Sequence, residues 1–190
     1  MHHISDEELM ERFRRGELKA FQELYNRYEK RLYAFFVKNL SDKEKANDLF
    51  QECFLRVIKN CQSFSPEEGR FSAWVFTIAY NLVRDVYRSK KQQQTIFDWT
   101  ENEPEVMHLA APENPILHIL EKEQQALMRQ ALERLPESQR EVILLSKYAN
   151  LSFKEIGKII GCSEKAAKQM AYRAIQNLRL LFNQQRGQNR

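Results

Sequence analysis

The chain has 190 residues, of which 43% are hydrophobic and 29% charged, with five glycines and a formal net charge of +4. This composition is typical of a soluble chain that forms one domain or two small ones, and the scarcity of glycine among many helix-forming residues favours an all-α fold. No apolar run approaches the roughly 20 residues needed to cross a bilayer, and "MHHISDEELM" lacks the basic start and apolar core of a signal peptide. We therefore expect a cytoplasmic protein without membrane insertion.

Charge is distributed unevenly along the chain. Residues 1–92 carry 17 Lys and Arg against 14 Asp and Glu, residues 93–118 carry none against five, and residues 119–190 carry 13 against seven. The acidic segment also contains three prolines and interrupts the helical periodicity. We interpret it as a linker between two helical domains, 1–92 and 119–190. The excess of positive charge in the two domains is consistent with surfaces that bind a polyanion, and equally with ordinary solvated surfaces.

The first domain contains a series of amphipathic patterns. "SDEELMERFRRG" begins with a capping box of Ser5 and Glu8, and "KAFQELYNRYEKRLYAFFVKNL" repeats apolar residues at three- and four-residue spacing. A second capping box, Ser41 with Glu44, is predicted to begin "SDKEKANDLFQECFLRVIKN". After the loop "CQSFSPEEGR", a further helix is predicted in "FSAWVFTIAYNLVRDVYRSKK". Its inward residues are expected to be Phe71, Trp74, Val75, Ile78, Leu82 and Val86.

The second domain is predicted to contain a helix-turn-helix. In "LSFKEIGKIIGCSEKAAKQMAYRA", Ser152 and Glu155 have the spacing of a capping box, which indicates the start of a short helix. Gly161 stands where a helix ends in a left-handed residue, and Ser163 is a good N-cap for a new helix. A short helix, a turn of about three residues and a longer helix follow from this order.

The longer helix of this motif has two different faces. Small or apolar residues are expected to pack on the preceding helix: Ala166, Ala167, Met170, Ala171, Ala174 and Leu178. Cations, amides and a phenol repeat on the other side: Lys165, Lys168, Gln169, Tyr172, Arg173 and Gln176. Lys and Arg neutralise phosphates, and Lys or Gln can reach base edges, so this face favours binding in the major groove of DNA. The alternative is a solvated surface helix of a small bundle.

Candidate catalytic and metal sites are lacking in the sequence. The three cysteines, Cys53, Cys61 and Cys162, form no CxxC pair, and the four histidines pair with no Cys or Asp at a catalytic or metal-binding spacing. We interpret the cysteines as small apolar residues. No enzyme, metal or cofactor is predicted.

Three tracts resemble a known family. "LPESQREVILLSKYANLSFKEIGKIIGCSEKAAKQMAYRAIQNLR" resembles the promoter-reading C-terminal domain of extracytoplasmic-function (ECF) sigma factors, bacterial initiation factors that attach to core RNA polymerase. "DLFQECFLRVIK" resembles their polymerase-binding helix, and "FSAWVFTIAYNLVRDVYR" resembles the helix that opens and reads the minus-ten promoter element. The resemblance spans nearly the whole chain, with both motif sets in the right order.

The resemblance implies a polymerase-binding surface, with the residues Asp48, Gln51, Glu52 and Arg56. Mixed charges and an amide suit a polar protein–protein contact. Taken alone, the helix would be read as an ordinary solvated amphipathic face.

Two DNA-binding surfaces are also implied. For the minus-ten element the residues are Asn81, Arg84, Asp85, Arg88, Tyr80 and Tyr87, with the loop 62–70 as a wall of a base pocket. Aromatic groups interleaved with cations stack single-stranded bases and neutralise their backbone, although the two tyrosines fit equally well as half-buried core residues and Trp74 is expected in the core. For the minus-35 element the residues are Lys165, Lys168, Gln169, Tyr172 and Arg173.

The sequence therefore predicts a non-enzymatic initiation factor that binds core RNA polymerase and promoter DNA, both duplex and single-stranded. The resemblance adds an anti-sigma factor as a further partner, although no residue identifies one. The alternative is a stand-alone two-domain helix-turn-helix regulator, for which we find neither a heptad run nor an effector domain. A polymerase-binding protein without DNA specificity is disfavoured by the basic helix.

Overall fold

The structure, a computed structural model, describes residues 4–40, 42–93 and 126–188, with side chains up to 89 and 184 in the last two ranges. Every regular element in these ranges is helical, which confirms the all-α prediction. The predicted linker comprises residues 93–118. All of it except residue 93 lies outside the described residues, so its bounds stay a prediction. The helices are α1 (Asp6–Arg14), α2 (Leu18–Leu40), α3 (Lys43–Lys59), α4 (Phe71–Gln93), α5 (126–133), α6 (Glu137–Ala149), α7 (Phe153–Ile160) and α8 (Glu164–Gln188), with a short 3-10 turn at Cys61–Ser63.

Helix starts follow the polar residues of the sequence, with two corrections. Ser5 caps α1 as predicted, since its hydroxyl accepts a hydrogen bond from the Glu8 amide at 3.1 Å. The reciprocal half of the predicted capping box is not formed, because the Glu8 carboxylate accepts from Arg12 at 2.6 Å instead. The predicted start of α3 was wrong by one residue: Asp42 is the N-cap, and its carboxylate accepts from the Lys45 amide at 3.1 Å. Asp and Ser are equally good N-caps, so adjacent Ser and Asp residues compete for this position.

Helices α1 to α4 enclose an aromatic core. The largest fully buried side chains of this part are Tyr28, Phe35, Phe36, Phe71 and Phe76. Phe35 packs against Phe76 with the ring centroids 5.6 Å apart in an edge-on arrangement. Because such rings bury large apolar areas, this core stabilises the packing of α4 on α2.

Helix α4 buries more of its surface than its apolar pattern predicted. Trp74, Ile78 and Val86 are only half-buried. A second row is buried instead, comprising Phe76, Ala79, Tyr80 and Val83. This difference arises because α4 contacts α2, α6 and α7 in addition to α3.

The two predicted domains pack against each other along a surface that we call the docking interface. Here α6 lies on α2 and α4, and α7 lies on α4. The Arg31 Nε donates to the Tyr148 carbonyl at 2.7 Å, and the Arg70 guanidinium binds the Glu155 carboxylate at 2.6 Å. None of the helices described is long and apolar enough to cross a membrane.

Candidate nucleic-acid and protein interfaces

The helix-turn-helix forms with the predicted capping residues and the predicted turn. The Ser152 hydroxyl accepts from the Glu155 amide at 3.3 Å, while the Glu155 carboxylate accepts from the Ser152 amide at 2.8 Å. Gly161 ends α7 at a φ of 78°, and the Ser163 hydroxyl accepts from the Ala166 amide at 3.2 Å. The predicted capping box, left-handed glycine and second cap are therefore confirmed.

The two faces of α8 are also separated as predicted. Ala167, Ala171 and Ala174 are buried, while Ala166, Met170 and Leu178 are half-buried. All five predicted distal-element residues are exposed: Lys165, Lys168, Gln169, Tyr172 and Arg173. The Lys168 ammonium pairs with Glu164 at 2.6 Å, one turn earlier, and this bond holds the pKa of Glu164 below its usual value. One side of α8 thus packs into the domain through small residues, and the opposite side is a polar, cationic surface.

The candidate minus-ten residues on α4 divide into two groups. Asn81, Arg84, Asp85 and Arg88 are exposed and, with Tyr87 and Glu137 of α6, line a groove of about 460 Å³. Within this row, Arg88 pairs with Asp85 at 3.0 Å. These four side chains are accessible to a ligand in the groove.

The two candidate tyrosines are instead engaged at the docking interface. Tyr80 is 4% exposed, and its hydroxyl donates to Glu141 at 3.4 Å. The Tyr87 hydroxyl donates to the Asn39 carbonyl and accepts from Arg140 at 2.9 Å. The Tyr80 ring is therefore buried in this arrangement, whereas Tyr87 is half-buried at the edge of the groove, and the role of both in DNA binding stays a prediction.

The loop 62–70 and α4 form the wall of a second cavity, of about 750 Å³. Phe64 is buried and Trp74 is half-buried, with ring centroids 5.5 Å apart, and Asn81 lies on the same wall. The facing wall belongs to α7, which contributes Lys154 and Lys158. The loop predicted as a pocket wall therefore lines a concave cavity whose other side is formed by the second domain, and its use as a base pocket stays a prediction.

Charged groups at the docking interface have perturbed acidities. Burial, together with the neighbouring Glu137 carboxylate, raises the pKa of Glu141 to about 7. Burial also raises the pKa of Tyr80 to about 12. The hydrogen bond from Arg70 lowers the pKa of Glu155 to about 2. Glu141 is thus a buried acid, whereas Glu155 is held as an anion.

Helix α3 presents the candidate polymerase-binding residues on one side. Asp48 and Gln51 are exposed, while Glu52 and Arg56 are half-buried and paired at 2.8 Å. The hydrogen bond from Arg56 holds the pKa of Glu52 below its usual value. These side chains lie opposite the buried row of Ala46, Cys53, Phe54 and Val57.

Comparison with known proteins decides what these surfaces belong to. The sigma-70 region 2 family matches residues 24–93, and the sigma-70 region 4 family matches residues 125–178. The chain is also 32% identical over 177 residues to the RNA polymerase sigma factor CarQ of Myxococcus xanthus, covering 92% of this chain and 96% of CarQ. The chain belongs to the ECF group of the sigma-70 family. It is therefore a promoter-specific transcription initiation factor.

Other similarities agree with this assignment. The ECF RNA polymerase sigma factor BldN of Streptomyces coelicolor is 33% identical over 178 residues, which cover 92% of this sigma factor and 65% of BldN. The sigma factor RpoE of Bartonella quintana, solved in complex with the anti-sigma factor NepR, superposes with a TM-score of 0.70 at 25% identity. That alignment covers 87% of this chain and 98% of RpoE.

Sequence reasoning missed an exposed leucine on the α3 face of this sigma factor. Leu55 is 47% exposed, one turn from Gln51 and Glu52 and adjacent to Arg56. In a helix, positions 48, 51, 52, 55 and 56 fall on one side, so Leu55 lies between the polar residues. Protein–protein interfaces commonly combine an apolar core with a polar rim, so Leu55 is a candidate for the centre of a contact at this face. The helical spacing of Leu55 from the polar residues of α3 could have revealed its position, but a leucine in an amphipathic helix is ordinarily assigned to the core.

Sequence reasoning also missed the role of Gly157 within α7. A Cβ at this buried glycine would lie 2.7 Å from the Cys162 carbonyl oxygen and 3.3 Å from the Ser163 carbonyl carbon. Both are backbone atoms of the turn before α8, so they cannot rotate away as a flexible side chain can. Gly157 therefore allows α7 to approach the start of α8 closely.

Gly157→Ala should lower the free energy of unfolding by about 1–3 kcal/mol, because the added methyl group overpacks the turn. This loss should outweigh the roughly 1 kcal/mol by which alanine is the better helix former. Urea denaturation measures the difference. Lys158→Ala, at the adjacent exposed position, is the control and should change stability by no more than about 0.5 kcal/mol. A Gly157→Ala protein as stable as the control would contradict the close approach.

The three cysteines are free thiols. Cys53 is buried, and burial raises the pKa of its thiol to about 12, so it remains a protonated apolar residue. Cys61 and Cys162 are half-buried and unpaired. Within the described ranges, no group of three His, Cys, Asp or Glu residues could hold a metal ion.

Proposed function

We propose that this sigma factor divides its work between its two domains. The first domain, 1–92, binds core RNA polymerase through Asp48, Gln51, Glu52 and Arg56 of α3, and α4 reads and opens the minus-ten element. The second domain, 119–190, places α8 in the major groove of the minus-35 element. The acidic linker, 93–118, connects the two. No catalytic step is assigned to the chain itself, and we place its action in the cytoplasm, where the polymerase works.

One observation carries this proposal most directly: α8 has an exposed cationic face over a buried alanine row, at the end of a properly capped helix-turn-helix. In this layout, the second helix contacts base edges from the major groove while its cations bind phosphates. The exposed row on α4, which combines Asn81 with the cations Arg84 and Arg88, supports single-strand binding by the first domain.

The similarity to a sigma factor solved with its anti-sigma factor supports one further partner. We propose that an anti-sigma factor also binds this chain. Copurification from its host under conditions that silence its promoters tests this, and a chain recovered only with polymerase would count against it.

Run-off transcription tests the proposed function. The purified chain is mixed with core RNA polymerase and fragmented DNA from the host, and transcripts with defined start sites are mapped. We expect start sites that are absent from reactions with core enzyme alone. A stand-alone regulator would bind DNA by itself but would give core enzyme no new start sites, and that result would overturn the proposal.

A further inference from the structure

The cavity of about 750 Å³ between the two domains has the size of a small-molecule site. The loop 62–70 and α4 form one wall, and α7 forms the other. The Arg70 guanidinium joins the walls through the Glu155 carboxylate, at 2.9 and 2.6 Å, and through the Asn150 carbonyl at 3.4 Å. Pockets for small ligands commonly lie at such domain boundaries and combine apolar surface with a few polar groups. The chemistry of the two walls therefore indicates which ligand would fit.

The wall formed by the loop and α4 offers an aromatic surface. Trp74 is half-buried and lines the cavity, as does the buried Phe64, and their ring centroids are 5.5 Å apart. Phe71 is fully buried and contacts both rings, at 5.8 and 6.0 Å, so the core packs against this surface from within. Thr77 and Asn81 add a hydroxyl and an amide to the same wall. This wall favours a planar aromatic ligand, which gains from stacked or edge-on ring contacts.

The α7 wall offers positive charge. Lys154 and Lys158 lie one turn apart, and both are exposed and line the cavity. In the part of the chain that the structure describes, no carboxylate pairs with either ammonium group, since Glu155 between them is engaged by Arg70. The lining as a whole carries three cations against two carboxylates, of which the second is Glu68 on the opposite wall. Two neighbouring ammonium groups favour an anion such as a carboxylate, sulfonate or phosphate.

We propose that this cavity binds a planar aromatic anion of small-molecule size, with its ring against Trp74 and its anionic group held by Lys154 and Lys158. The two kinds of contact come from different domains, so the ligand stabilises their packing by binding to it. A flipped nucleotide also carries a ring and a phosphate, but both lysines belong to the helix-turn-helix domain, which we assign to duplex DNA. The site adds a small-molecule partner to the proposed function.

Fluorescence titration of the full-length chain with anilinonaphthalene sulfonate tests the site. This probe is an aromatic ring system with one sulfonate, and we expect saturable binding of one molecule per chain. Lys154→Ala with Lys158→Ala should weaken the binding by about tenfold, because both charge-assisted contacts are lost. Lys19→Ala with Lys30→Ala is the matched control, since it removes the same charge from exposed positions of α2 and should leave probe binding unchanged.

Two further measurements separate the ring contact from the charge contact. Phenylnaphthylamine has the same rings without the sulfonate, so it should bind the wild type and the cavity-lysine variant equally. A Trp99→Phe chain keeps Trp74 as its single tryptophan, and the bound sulfonate probe should quench the emission of that residue. Circular dichroism establishes that each variant remains helical.

Three outcomes would overturn the proposal. The first is equal affinity of the wild type and the folded cavity-lysine variant for the sulfonate probe, and the second is probe binding that leaves Trp74 emission unchanged. The third is a cavity-lysine variant that binds a random-sequence single strand more weakly but the probe normally, because the cavity would then serve nucleic acid. Run-off transcription judges the proposed function separately, since Lys154 and Lys158 lie outside the residues assigned to promoter and polymerase.

Discussion

Replacing Lys165 and Arg173 of α8 with alanine should reduce promoter-specific run-off transcription by about tenfold or more, while polymerase binding remains unchanged. Both side chains are exposed on the face opposite the buried alanines. A base contact contributes about 1–3 kcal/mol, and each phosphate contact that is lost reduces the salt dependence of binding by about one unit in slope. The measurements are transcript yield, binding of the distal duplex at several salt concentrations, and co-elution with core polymerase.

The control for this prediction removes the same charge elsewhere. Lys19→Ala with Lys30→Ala takes two cations from exposed positions of α2, away from the three proposed binding faces. If a general attraction between a basic chain and DNA explained binding, both pairs of substitutions would reduce transcription equally. If the α8 variant lost polymerase binding to the same extent as it lost transcription, the division of work between the domains would also be refuted.

Leu55→Ala should weaken binding of the sigma factor to core polymerase by about tenfold or more. The leucine is 47% exposed and surrounded by Asp48, Gln51 and Glu52, so a partner surface that covers this face would bury it centrally. If Leu55 is a hot spot of the contact, its truncation costs about 2 kcal/mol or more, whereas rim charges mainly change the association rate and its salt dependence. We therefore expect Asp48→Ala with Glu52→Ala to slow association, most visibly at low salt.

Leu18→Ala is the matched control for the polymerase contact, since Leu18 is 75% exposed at the start of α2 and outside the α3 face. It should bind polymerase as the wild type does. Titration of labelled protein with core enzyme measures both variants. If Leu55→Ala also bound core enzyme normally, α3 would not be the central contact, and a loss in both variants would indicate general dependence on exposed leucines.

Local features of the sequence carried most of the correct predictions. The capping residues Ser5, Ser152 and Ser163 and the left-handed Gly161 were predicted from a few neighbouring positions. The separation of the α8 faces likewise follows from spacing alone. The error at α3, where Asp42 is the N-cap, shows the limit of such reasoning, since adjacent Ser and Asp residues have the same capping chemistry and residue type does not distinguish them.

The identity of the helices, their caps and the polarity of their faces were determined by the sequence itself, because these depend on hydrogen bonds and side-chain spacing within a few residues. Only the tertiary structure revealed the second buried row of α4, the close approach at Gly157 and the docking of region 4 on Tyr80 and Arg70. Those features join residues distant in the chain, such as Arg70 with Glu155, and nothing in the local pattern specifies which distant surfaces meet.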